Sequence, residues 1–450
     1  MTTASDPLAL LRTRSYVGLL VLAGIIGVPI SAAAWGFLDL VNVLQSLIFT
    51  DLPHALGFKA EPIWWPLPLL ALSGVLVAAT IRYLPGTAGH LPAKGFQAGG
   101  APAPIELPGI FFAALTSLAL GVVIGPEAPL IALGGGLGVC AVRLAKRDVP
   151  DRTATAVAAA GSFAAVSTLL GSPILGAFLL MEAAGLGGAV MDLVLLPGLV
   201  ASGTGALIFV GLGTWTGLGT FSLSIPNLPH FARPDAAEFG WAIGIGLAAA
   251  VVGAGIRWLG LYLQDRVIPR MLWLTPLVGL AIAGLAIAFA EGTGKGTSEV
   301  LFSGQSALGP LLSHSATYSV GALVLLVACK GLAYGASLSS FRGGPIFPAL
   351  FVGAAGGLAL SHAPGLPFVA GAAMGMGAMM VAMLRLPLTS VLIATLLLLS
   401  DGLAVMPLVI VAVAVAYVAS ARLSPIPAPS TAVAPATPAP PEEAVPASRS

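Results

Sequence analysis

Charge is what this 450-residue sequence lacks: only 8% of its residues are charged, and its net charge is +1. With 57% hydrophobic residues and a mean hydropathy of +1.00, a soluble globule of this length is excluded, because too little polar surface remains to cover it. The near-neutral balance leaves no basic stripe for nucleic acid. Cysteine is nearly absent, and Cys140 and Cys329 lie in or beside apolar stretches and suggest no disulfide framework. Neither a His-Glu-x-x-His pattern nor a Gly-x-Ser-x-Gly elbow occurs. An intramembrane enzyme would instead need Glu127, Glu182 and His90 to converge as catalytic groups or metal ligands. No cofactor or metal is implied.

Long uncharged stretches are abundant. A helix crossing a bilayer needs about 20 largely apolar residues, and such stretches recur at 15–38, 62–81, 107–126, 153–181, 193–232, 300–329 and 343–384. Several are long enough for two passes, and with the shorter apolar stretches about ten to fourteen spans or half-spans are predicted. The run after Arg12 and Arg14 reads as the first span, although its SAAAWG ending at 31–36 also resembles a leader cleavage site. Arg143, Lys146, Arg147 and Arg152 fall in one predicted connector, and Arg257, Arg266 and Arg270 in another. The positive-inside rule puts both connectors, and both termini with Arg12, Arg14 and Arg422, in the cytoplasm. Residues 1–14 form a short N-terminus, 15–422 the membrane domain, and the Pro/Ala/Ser-rich 423–450 a disordered tail. Lys330, Arg385 and Asp401 flank spans and are expected to snorkel to the interface.

The sequence is built twice. GSFAAVSTLLGSPILGAFLL at 161–180 overlays GMGAMMVAMLRLPLTSVLIA at 375–394 without a gap, and PLIALGGGLG at 129–138 overlays PALFVGAAGG at 348–357. The repeats run roughly 105–215 and 315–420, a pattern of transporters whose inverted repeats meet at a central site. Pro129 and Pro348 should each open a helix at membrane depth, because proline suits a first helical turn. Such a start leaves amides that a dehydrated anion can satisfy. Glu127 lies at the first of these breaks, and a carboxylate in an apolar run is a functional candidate in itself. Gly134 to Gly136 read more simply as packing residues.

At these residues the sequence resembles the CLC family of chloride channels and chloride/proton exchangers, over roughly 15–420. GPEAP at 125–129 matches the family's Gly-Lys/Arg-Glu-Gly-Pro at Gly125, Glu127 and Pro129. AGHLP at 88–92 stands for Gly-Ser-Gly-Ile-Pro, and GPIFP at 344–348 for Gly-x-Phe-x-Pro with the phenylalanine one place late. The resemblance implies an all-α polytopic fold of two inverted repeats with tilted and broken helices. It also implies a homodimer and voltage-gated transport of chloride or a similar small anion across the plasma or inner membrane. Glu127 becomes the gate, a tethered anion competing with the permeating one. Gly89, His90, Gly125, Ala128, Ile346 and Phe347 become the anion-binding positions.

Departures from the family pattern bear on mechanism. The chloride-contacting serine falls on Gly89, so its hydroxyl is missing; His90 either donates to an anion or sits in an ordinary interfacial turn. Pro345 has no N–H, which leaves Ile346 and Phe347 as donors. The family's inner proton-passing glutamate corresponds to Ala183, and Glu182 beside it is either a substitute on a proton pathway or a plain helix-end carboxylate. Arg342 either concentrates anions at an entrance or is an interfacial charge. Tyr417 matches no family tyrosine, and the final family helix is shortened or missing. Passive conduction is therefore expected ahead of proton exchange.

Overall fold

The computed structural model describes residues 13–96, 102–145, 151–185, 189–216, 225, 230–231, 233–398 and 401–423. The tail beyond Leu423, Arg12, Lys146 and Arg147 lie outside them. Among the described residues eight helices or helix runs are long and apolar enough to cross a membrane, and five shorter apolar helices accompany them. This agrees with the expected ten to fourteen spans and half-spans.

The first half begins with α1 (Arg14–Ser46), which continues through a π-helical turn at Leu47–Asp51 and a last turn at Leu52–Ala55. The rod runs unbroken through 31–36. Next come α2 (Pro66–Tyr83), α3 (Leu107–Ala119), α4 (Glu127–Ala145), α5 (Asp151–Leu170), α6 (Pro173–Ala183) and α7 (Ala189–Thr216). The second half comprises α8 (Ala236–Val267), α9 (Met271–Thr293), α10 (Gln305–Ser313), α11 (Val320–Leu338), α12 (Ile346–Leu360), α13 (Phe368–Leu384), α14 (Pro387–Leu396) and α15 (Gly402–Leu423).

The two halves run through one series of elements, in which α3 to α7 correspond to α11 to α15. Pro173 and Pro387, aligned in the sequence, both occupy the first position of their helices, where a missing N–H costs nothing. The aligned glycines do the same work twice. Gly134 packs on the Gly161 carbonyl and Gly353 on that of Gly375, while Gly138 meets the Val157 carbonyl and Gly357 that of Gly371. A Cβ at any of these positions would overlap the neighbouring backbone, so the α4/α5 and α12/α13 pairs approach closely only because these residues are glycine.

Among the described residues the 193–232 stretch carries the long helix α7, which ends at Thr216. Two expectations change. Arg257 lies inside α8, ten residues before its end, and only Arg266 and Arg270 approach the connector at Ile268–Arg270. Lys330 does not snorkel. It is 0% exposed, and its Nζ donates to the carbonyls of Glu299, Val300 and Leu301 at 3.0 Å each and of Phe302 at 3.4 Å. Asp401 is likewise buried and accepts from His230 Nδ1 at 2.7 Å, and Arg385 donates to the Ser420 carbonyl. Position in the chain told which residues flank a span, but neighbouring elements enclose these side chains.

Candidate functional site

The site is made where two loops meet. The segment 120–126 leaves α3 and the segment 339–345 leaves α11, and they pair antiparallel through Gly125 and Gly344. Gly125 N–H donates to the Gly344 carbonyl at 2.7 Å, and Gly344 N–H returns the bond at 2.6 Å. Irregular backbone at membrane depth must satisfy its own polar groups, and this exchange does so. Immediately beyond it α4 begins at Glu127 and α12 at Ile346, so two helix N-termini lie beside one junction.

Glu127 fills that junction. It is 0% exposed, its Oε1 accepts the Ile346 N–H, and its Oε2 is buried without a hydrogen-bond partner. The amides of Phe347 and of Glu127 itself also face the carboxylate. Gly125 and Gly344 form the walls of the slot, since a Cβ on either would overlap the carboxylate. The arrangement holds one negative group at the start of α12, where orphan amides and the helix dipole favour an anion.

A polar stripe on α11 supports the junction. Lys330, Tyr334 and Ser337 recur at i, i+4 and i+7 and therefore share a helix face. Ser337 Oγ accepts the Val123 N–H at 3.2 Å, and Tyr334 donates its hydroxyl to the Pro345 carbonyl at 2.9 Å. Lys330 gathers the turn at 299–302, whose Phe302 N–H bonds the Gly121 carbonyl at 3.1 Å. Both loops of the site are thus tied to one helix. The sequence carried this signal as three polar residues spaced for one face of an apolar span.

Of the expected anion-binding positions, the structure brings Gly125, Ile346 and Phe347 onto Glu127, with Ala128 next in the first turn of α4. Gly89 and His90 lie in the loop after α2, with Gly89 at φ +93° over Ile110 and His90 exposed. That loop reaches the site through Arg342, which donates to the Thr87 carbonyl from Nε at 3.2 Å and Nη2 at 3.1 Å, and to Ser340 O at 3.0 Å. At 3% exposure Arg342 is a buried clamp and not a charge at an entrance. Glu182 is far from free: it accepts Leu388 N–H at 2.8 Å, Thr389 N–H at 2.7 Å and Thr389 Oγ1–H at 2.6 Å. It caps the amides that open α14. Glu127 and Glu182 engage the starts of α12 and α14, and among the described residues they form no cluster with His90. Ala183 is buried at the end of α6, and Tyr417 lies on α15.

The slot geometry makes a sharp expectation for Gly344→Ala. The added methyl should displace the carboxylate from the Ile346 amide, make anion flux insensitive to external pH, and cost about 1–3 kcal/mol of stability as an overpacked site. Flux measured across a pH series in liposomes, beside thermal unfolding, checks it. A wild-type pH profile would mean that the backbone yields and the carboxylate stays.

These features define a polytopic membrane protein with a tethered carboxylate at a paired helix-start junction. Residues 94–421 match the family model described as voltage gated chloride channel, and the chain belongs to that family, the CLC family. YfeO of Escherichia coli O1:K1 / APEC is 31% identical over 366 residues, covering 79% of this chain and 82% of that protein. YfeO of Shigella boydii serotype 4 (strain Sb227) is 30% identical over the same length. A slow cyanobacterial Cl−/H+ antiporter superposes with a TM-score of 0.73 at 21% identity, covering 90% of this chain and 94% of that one. A CLC-type fluoride/proton antiporter gives 0.69 at 18% identity, covering 91% and 97%. The fold is theirs, and the family comprises transporters and channels, not enzymes.

Proposed function

We propose that this CLC protein conducts chloride passively through a pathway gated by Glu127. Residues 15–422 form the transport domain, with repeats at roughly 105–215 and 315–420. The domain works as a homodimer with one pathway per subunit, in the plasma or inner membrane, with both termini cytoplasmic. The anion takes the place of the Glu127 carboxylate at the Ile346 and Phe347 amides, with Gly125 and Ala128 beside it and the Gly89–His90 loop further along the route. Because a charged carboxylate swings within the membrane, opening is voltage-sensitive.

The observation that carries passive conduction is the engagement of Glu182. A proton crossing the membrane needs titratable groups or water at successive depths. Ala183 cannot titrate, and the Glu182 carboxylate is held by three donors at the start of α14 and not directed along a route. Proton exchange is the second reading, favoured by solved relatives that are proton antiporters, although their low identity speaks for fold alone.

Liposomes under opposed chloride and pH gradients separate the two. Chloride should move down its gradient with no uphill proton movement. Robust uphill proton transport by the wild-type protein would overturn passive conduction, and its loss in Glu182→Gln with anion flux spared would identify the relay.

A further inference from the structure

A trans peptide group is planar, so its carbonyl and its N–H point in opposite directions and turn together. The group that joins Pro345 to Ile346 makes two contacts at the junction, one from each side. Its N–H, on Ile346, donates to Glu127 Oε1, and its carbonyl, on Pro345, accepts the Tyr334 hydroxyl at 2.9 Å. Tyr334, this peptide and Glu127 therefore form one hydrogen-bonded chain, from hydroxyl to carbonyl and from N–H to carboxylate. Tyr334, Ile346 and Glu127 are all 0% exposed, so bulk solvent competes for neither bond.

The place of this peptide gives the chain its weight. Pro345 is the N-cap of α12 and has no N–H, so Ile346 carries the first amide the helix can offer. Tyr334 fixes how that amide is aimed, and its own position is firm. Behind α11, Gly335 lets the Ile256 carbonyl and the Leu259 side chain of α8 come close. One turn further along α11, Ser337 Oγ holds the Val123 N–H at 3.2 Å. A hydroxyl bonded to a carbonyl also polarises the peptide and makes its N–H a stronger donor, by about 10–30% per bond in such chains.

We propose that Tyr334 is a positioning residue of the gate, which sets through the Pro345–Ile346 peptide how firmly the ionised Glu127 carboxylate is held and hence the external pH at which it is released. This deepens the proposed gating by Glu127 and rests on it. Pro345 withholds one donor, and Tyr334 reinforces the next. The charged groups around the chain are Arg257 of α8, within electrostatic reach of Tyr334, Lys330 one turn earlier on α11, and Arg342 in the loop before α12. Lys330 and Arg342 are bound by backbone carbonyls. Helices α3, α12 and α13 carry no titratable side chain.

Tyr334→Phe tests it by removing the hydroxyl and keeping the ring. The Pro345 carbonyl still accepts the Ala349 N–H at 3.3 Å, so no buried acceptor is orphaned. Weaker donation to the ionised carboxylate favours its protonated form. In liposomes the midpoint of the flux–pH profile should therefore move to higher pH by about 0.3–0.7 unit, a two- to fivefold weaker hold. In a Glu127→Gln background Tyr334→Phe should leave the profile flat. Infrared difference spectra of purified protein across the same pH series follow the Glu127 carboxyl C=O stretch, assigned by its loss in Glu127→Gln, and its midpoint should shift equally. An unmoved infrared midpoint overturns the proposal, as does a Tyr334→Phe protein that loses flux without any shift, which would make the tyrosine a plain packing residue. If Tyr334→Phe does not fold, 3-fluorotyrosine incorporated at position 334, a stronger donor, should move the midpoint to lower pH, and no movement overturns the proposal. Wild-type flux that is absent or indifferent to pH refutes the gating reading instead, and the infrared midpoint still reports on Tyr334 independently.

Discussion

Glu127→Gln is expected to make anion flux nearly independent of external pH and to raise flux at neutral pH about ten- to a hundredfold. In the wild type the carboxylate occupies the start of α12, with Oε1 on the Ile346 amide and the side chain lodged between Gly125 and Gly344. In the proposed function, the ionised carboxylate competes with the permeating anion for the same donors. Protonated, it loses the charge that holds it there, so wild-type flux should rise as the external pH falls. Glutamine keeps the size but presents a neutral amide, forfeiting a charged hydrogen bond of about 1.5–3 kcal/mol, which at about 1.4 kcal/mol per tenfold sets the expected gain. The two proteins should converge at acid pH. Chloride efflux from liposomes across a pH series measures this, and a mutant that keeps the wild-type profile would remove Glu127 from the gate.

Lys330→Met is expected to be the most destabilising of the substitutions considered, by about 3–5 kcal/mol, the cost of stripping a buried charged group from its partners. Three carbonyls at 3.0 Å and a fourth at 3.4 Å converge on its Nζ, and the Phe351 ring lies 4.4 Å away. Methionine matches the stem but leaves those oxygens unsatisfied in a dry interior, where each costs about 1–3 kcal/mol. The gathered turn holds Phe302 at φ +59°, a backbone strained for a side chain of that size. Its amide in turn holds Gly121 in the loop that leads to Glu127. Loss of the lysine should thus lower thermal stability in detergent and, in whatever protein survives, disturb the pH profile of flux. Wild-type unfolding behaviour in Lys330→Met would show that water or a shifted turn replaces the ammonium.

What the sequence determined by itself was everything that follows from local chemistry. Low charge and long apolar stretches required a polytopic membrane protein, and Pro129 and Pro348 required helix starts, which fall two residues before them at Glu127 and Ile346. Glu127, a carboxylate between prolines in an apolar run, could be singled out because burying it is expensive wherever it points. The aligned glycines disclosed a duplication before any contact was known. Tertiary structure decided which polar groups meet. Gly125 and Gly344 lie more than two hundred residues apart in the chain, and only their pairing makes the slot that Glu127 fills. Lys330 looks like an ordinary flanking charge, and Arg342 like a charge at an entrance or interface, until the turn at 299–302 and the loop at Thr87 close over them. Glu182 could not be told from a solvated helix end until α14 presented its first amides to it. Arg257, counted from sequence among the charges of a connector, proved to be a buried cation within α8. The reason is common to all four: a side chain's environment in a bundle is set by the neighbours that enclose its helix face, and the linear pattern records the face but not the neighbours.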